Sequence, residues 1–156
     1  MTPLRQKGLS LIEVMITLAV FSFGLLALAA LMASGLKYNT SALHRSHATS
    51  QAYDIGDRMR ANRLGLDAGS YRNLSESGTD PDCIESGCTP EQMAHYDTWQ
   101  WNTDNARLLP EGAGTVSLKS DDPESAYFGL YTITVSWNDD RDPDTAADSF
   151  VFELQP

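Results

Sequence analysis

The chain has 156 residues, 42% of them hydrophobic, and a formal charge of −10. The charge is uneven: residues 1–63 carry seven Lys or Arg against three Asp or Glu, while residues 64–156 carry four against eighteen. So acidic a C-terminal part lacks the basic surface that nucleic acid requires, and the length leaves room for one head of roughly 90 residues behind an N-terminal third of different character.

Residues 1–8, MTPLRQKG, are short and basic through Arg5 and Lys7, and no charged residue occurs from Val14 to Leu36, a run of 23. A helix needs about 20 residues to cross a bilayer core. The basic flank orients the start toward the cytoplasm, so the remainder is expected outside. An ordinary secretory signal places its apolar stretch before the small residues of the cleavage site. Here Gly8 precedes the apolar run. Cleavage after Gly8 would keep that run in the mature protein and put Glu13 five residues into it. A carboxylate deep in a membrane costs about 2.5–3.5 kcal/mol on insertion scales, and such a residue has a partner and a task. A plain signal anchor has no need of Gly8 and Glu13 at this spacing.

The run Lys7-Gly8-Leu9-Ser10-Leu11-Ile12-Glu13-Val14 resembles the cleavage and methylation signature of type IV prepilins. The resemblance implies cutting between Gly8 and Leu9 by a prepilin peptidase and N-methylation of Leu9, which stands where the family most often has Phe. It also implies assembly, with Glu13 neutralising the new N-terminal amine of a neighbouring subunit.

Beyond Leu36 the chain turns polar, and no proline interrupts it before Pro81. Ala48, Ala52, Ile55 and Met59 recur at helical spacing as one apolar stripe, with Arg45, Asp54, Asp57, Arg58 and Arg60 elsewhere on the surface. One helix is therefore predicted from about Leu9 to about Asn62, roughly 80 Å at 1.5 Å per residue. Gly24, Gly35 and the pairs Ala29/Ala33 and Ala30/Ser34 offer either sites of close helix approach or generic membrane composition. The run from Ala52 through Asp57-Arg58-Met59-Arg60-Ala61-Asn62, followed by Gly69-Ser70-Tyr71, is similar to the PilV-type minor pilins. Arg58 and Arg60 can pair with Asp54, Asp57 or the acidic head.

Residues 64–89, rich in Gly, Ser, Asp and Asn, read as a long connecting loop pinned by Cys83 and Cys88, the only cysteines. A zinc site would need two more ligands, and only His95 is near, so an oxidised pair is expected in an exported domain. It should stabilise the fold by about 2 kcal/mol. Thr89-Pro90-Glu91-Gln92 opens a helix with a capping box and should run to near Arg107; Trp99 and Trp101 cannot both face inward. Three strands follow: Gly114–Lys119, Tyr127–Trp137 and Ser149–Leu154. In the second, Tyr131, Ile133, Val135 and Trp137 alternate with polar residues; in the third, Phe150, Phe152 and Leu154 form the apolar face. That face should lie on the outer helix. The stretch from Leu109-Pro110 to Val135-Ser136-Trp137 also resembles PilV-type heads.

Asp140, Asp142 and Asp144 alternate as in a calcium loop, but an EF-hand needs Gly and Glu where Thr145 and Val151 stand, leaving a non-EF calcium loop or a solvated acidic hairpin. His44 and His47 lie three apart without a third ligand and read as solvated histidines rather than a metal site. No nucleophile, base and orienting acid come together in the sequence, so no catalytic residue, no cofactor and no enzyme activity are expected.

The sequence thus points to an α+β pilin fold with a leader (1–8), a transmembrane and polymerisation helix (9–36), an amphipathic outer half (37–63) and a periplasmic head (64–156). The expected function is that of a low-copy minor pilin in priming or assembly of a type IV pilus, its alternatives a minor pseudopilin of a type II secretion system or a membrane-tethered periplasmic binding protein. Expected partners are the prepilin peptidase, the inner membrane, other minor pilins and the major pilin, through the N-terminal helix; the final location is the pilus fibre or its tip.

Overall fold

The structure, a computed structural model, describes residues 8, 10–75, 80–126, 128–139 and 146–156. The elements in chain order are α1 (Leu11–Ala61), α2 (Arg63–Asp67), β1 (Asn73–Leu74), α3 (Cys83–Ser86), α4 (Pro90–Leu108), β2 (Ala113–Leu118), β3 (Tyr131–Trp137) and β4 (Asp148–Leu154). This is the expected α+β architecture of a pilin. The chain forms two compact units that divide after Thr40.

In the first unit every described residue from 10 to 40 is exposed, including Leu11, Phe21, Phe23, Leu26, Leu31 and Met32. Its best stretch has a mean hydropathy of 2.5 and is long enough to cross a membrane. Four of its hydroxyls are satisfied inside the helix. The hydroxyls of Thr17, Ser22, Ser34 and Thr40 donate to the carbonyls of Val14, Leu18, Ala30 and Leu36 at 2.7–3.0 Å. Such bonding suits an apolar solvent, where each unpaired polar group costs several kcal/mol.

In the second unit the outer part of α1 supplies the stripe Ala48, Ala52, Ile55 and Met59, all fully buried. Small residues let the helix lie close on the sheet: a Cβ added at Gly56 would come within 2.9 Å of Leu154 Cδ2. The sheet has the order β1-β2-β3-β4 and is antiparallel throughout. In β3 Tyr131, Ile133, Val135 and Trp137 are buried and alternate with half-buried polar residues, which sets the core face as the alternation requires.

Helix α4 opens with the expected capping box between Thr89 and Gln92. Trp101 is fully buried, whereas Trp99 is half-buried with its ring 5.7 Å from that of Tyr96. The Trp101 indole donates to Gln51 O of α1 at 2.9 Å. Its ring lies on Gly114, where a Cβ would stand 2.3 Å from Trp101 Cη2, so β2 needs glycine there. Asn102 clamps the same glycine, accepting from Gly114 N at 2.6 Å and donating to Gly114 O at 3.1 Å. Helix α4 thereby ties α1 to the sheet.

Several boundaries differ from expectation. Helix α1 starts at Leu11, with Leu9 outside the described residues. Residues 64–89 are not one loop: they hold α2, capped by Asn62, then β1, which pairs with β2, and then α3. Strand β3 begins at Tyr131; Tyr127 lies outside the described residues, and Gly129 sits at φ +67°, which ends the extended run. The other two strands each begin one residue earlier than predicted, and β2 also ends one earlier.

Candidate functional site

The N-terminal determinants sit at the start of α1. Gly8 is exposed, and a Cβ added there would meet nothing within 4 Å, so packing does not demand glycine at this position. Leu9, Arg5 and Lys7 lie outside the described residues. The Ser10 carbonyl accepts from the N–H groups of Glu13, at 3.0 Å, and Val14, at 3.2 Å, and so closes the first turn. Glu13 falls in that turn, where the N-terminal end of the helix dipole favours a carboxylate. It is exposed, and no cation among the described residues pairs with it. A carboxylate set within an apolar helix surface, with no partner among the described residues, can accept an amine from outside.

The Asp57-to-Asn62 run builds a polar clasp in the second unit. Arg58 Nε donates to Asp54 Oδ2 at 2.8 Å, and its NH1 donates to Gln100 Oε1 at 2.8 Å and lies 3.6 Å from Asp97 Oδ1. Tyr71 OH donates to Asp97 Oδ2 at 2.5 Å. Asn62 Nδ2 donates to Tyr71 OH at 3.0 Å and to Pro90 O at 2.7 Å, while its Oδ1 accepts from Gly65 N at 3.2 Å. Arg60 and Asp57 pair on the surface at 2.9 Å. Of the partners left open by the sequence, Arg58 takes both Asp54 and the acidic head, and Arg60 takes Asp57. Burial raises the Asp97 carboxyl above the usual carboxylate range, with Tyr71 and Arg58 pulling the other way. Burial likewise pushes the Tyr71 phenol up, helped by its bond to Asp97.

Cys83 and Cys88 form a disulfide with Cα atoms 5.0 Å apart, and the buried Cys83 anchors α3 beside the start of α4. His44 corrects the solvated reading: its side chain is 12% exposed and its Nδ1 pairs with Asp139 Oδ1. Burial tends to raise the Asp139 carboxyl, but hydrogen bonds from Ser41 and His44 and the charge on His44 outweigh it and set it below the usual range. His47 is half-buried. Among the described residues no group of three His, Cys, Asp or Glu could hold a metal ion; Asp140, Asp142 and Asp144 lie outside them.

Sequence reasoning quoted Tyr71 without giving it a role and missed Asp97 altogether. The usable signal was Asp97 on the same face of α4 as Ala94 and Trp101, a charged residue in a core stripe that must be paired if buried. His44 gave no such signal, because its partner is 95 residues away.

Two family descriptions match the chain. The prokaryotic N-terminal methylation motif matches residues 3–29, and the type IV pilin Tt1218 family matches residues 30–99. No curated protein and no solved structure matches. The first match covers Gly8, Glu13 and most of the apolar helix, and the second covers the outer helix, all of the clasp but Gln100, and the disulfide, so the chain is similar to type IV pilins over both stretches.

Proposed function

We propose that the chain is a minor subunit of a type IV pilus, cut between Gly8 and Leu9, N-methylated on Leu9, and incorporated through its apolar helix. Glu13 carries the reading: it is an exposed carboxylate with no cation partner among the described residues, on a helical stretch, residues 11–40, whose large apolar side chains are exposed. In a filament that surface meets neighbouring subunits, and Glu13 receives the Leu9 amine of one of them. Residues 1–8 serve as leader, 9–36 as membrane and polymerisation helix, 37–63 as the outer half that the head packs on, and 64–156 as a periplasmic head. Prepilin peptidase, the inner membrane, other minor pilins and the major pilin are the partners. The role is structural, not enzymatic.

Glu13→Leu tests this reading. The change makes the helix more compatible with lipid, so insertion and cleavage survive. Docking is lost, because an ion pair at a few ångströms and an effective dielectric near 20 contributes about 4 kcal/mol and the amine would be buried alone. The variant should accumulate in the membrane, trimmed, and be missing from sheared pili. Recovery in the filament fraction at wild-type levels would make Glu13 a bystander.

A further inference from the structure

The two edges of the sheet are unlike. Strand β1 is two residues long, the kind of short edge that resists pairing, whereas β4 runs for seven residues and is the last strand in the order. The register fixes which backbone groups of β4 point outward. Lys119 N donates to Leu130 O at 2.8 Å, and these two residues stand opposite one another in the β2–β3 register, next to Leu118 and Tyr131. Leu130 therefore aims its N–H and C=O at β2, and Tyr131, Ile133 and Val135 aim theirs at β4. Their partners Leu154, Phe152 and Phe150 face back toward β3. Ser149, Val151 and Glu153 thus turn their N–H and C=O groups to the open edge, and no described residue bonds to them there.

The flanks of that edge differ in chemistry. On the helix side the Phe152 ring lies tilted against that of Tyr53, with centroids 4.7 Å apart, and Tyr53 is 51% exposed. On the other side stand Val151, 55% exposed, and Glu153, which Lys119 contacts at 2.7 Å. Residues 41–156 carry eight Lys or Arg against twenty Asp or Glu, a net charge of −12. A second copy pairing edge to edge would bring two such acidic units to a strand spacing of about 4.8 Å, which like charge opposes.

We propose that the outer edge of β4 accepts an extended segment of a different polypeptide, one that alternates apolar and basic residues, as an added antiparallel or parallel strand. Main-chain bonds to Ser149, Val151 and Glu153 hold it, its apolar residues pack beside Tyr53 and Phe152, and its basic residues answer the acidic head. This surface is independent of the assembly role given to Glu13, and a failure of either leaves the other standing.

The test uses the full-length protein in a nonionic detergent, isotopically labelled, and a capped seven-residue peptide of alternating Lys and Val. Saturating peptide should slow amide exchange at Ser149, Val151 and Glu153 by about tenfold or more, with little change at Phe150 and Phe152, whose amides are already in the sheet. Val151→Pro deletes only an outward N–H, a position where an edge strand tolerates proline, and should abolish the protection. The same Lys-Val peptide N-methylated at alternate residues should also fail on the unaltered protein, so the outcome does not depend on the variant folding. The proposal is overturned by no protection at millimolar peptide, by equal protection from a Glu-Val peptide, or by retained binding to Val151→Pro. A concentration-dependent dimer that Val151→Pro dissolves would overturn it in favour of a second copy.

Discussion

Tyr71→Phe removes one oxygen from the centre of the head. The ring is fully buried, and its hydroxyl donates to Asp97 at 2.5 Å while accepting from Asn62 at 3.0 Å. Phenylalanine fills the same space, so no cavity opens. Asp97, 6% exposed, is left with Arg58 at 3.6 Å, while Asn62 keeps Pro90 and Gly65. A hydrogen bond to a charged group contributes about 1.5–3 kcal/mol. A loss of about 2 kcal/mol lowers the melting temperature by roughly 8 °C in a domain of this size. All three tryptophans, Trp99, Trp101 and Trp137, lie in the head, so their fluorescence in detergent reports its unfolding without interference from the apolar helix. The pH dependence has a definite sign. The Asp97 carboxyl is raised by burial and held down by Tyr71, so the variant raises it further. A carboxyl with a raised folded-state pKa gives most stability below its unfolded value and loses it as pH rises through the folded one. The penalty of Tyr71→Phe should therefore grow from mild acid to neutral pH. A variant melting within about 1 °C of wild type at pH 7, or a penalty that grows on acidification, would refute the clasp.

Gly114→Ala places a methyl group 2.3–2.7 Å from three atoms of the Trp101 ring, which its bond to Gln51 holds in place, and should cost about 3 kcal/mol by thermal melting; an unchanged melt would mean that the ring moves freely. Cys83→Ser with Cys88→Ser should lower head stability by about 2 kcal/mol and open residues 75–95 to protease, with membrane insertion unaffected; two free thiols in the exported wild-type protein would contradict the bridge. Asp139→Asn should cost about 1.5 kcal/mol at neutral pH by losing the charged partner of His44. Because the Asp139 carboxyl is lowered in the fold, that stabilisation exists above its unfolded value and fades as pH falls through the folded one, so the two melting curves should converge in acid.

The parts of the fold that obey a period were legible. The stripe Ala48-Ala52-Ile55-Met59 repeats at helical spacing, and all four residues are buried. The alternation of Tyr131 to Trp137 gave β3 its core face, and Thr89-Pro90-Glu91-Gln92 gave α4 its start. Elements of two to five residues, α2, β1 and α3, are too short to show a period and were absorbed into a loop. The Tyr71–Asp97 bond and the His44–Asp139 pair join residues 26 and 95 apart, so only the fold reveals them. At the N-terminus the position was reversed. Among the described residues Gly8 and Glu13 have no contact that explains them, and their meaning lies in the order of the sequence.

The most direct test of the central claim is the intact mass of this chain recovered from sheared filaments. The account predicts a first residue of Leu9 bearing one methyl group, in filaments and in the membrane pool alike. A filament-bound chain that still begins at Met1, or a chain that never enters filaments while its membrane pool is fully trimmed, would contradict it.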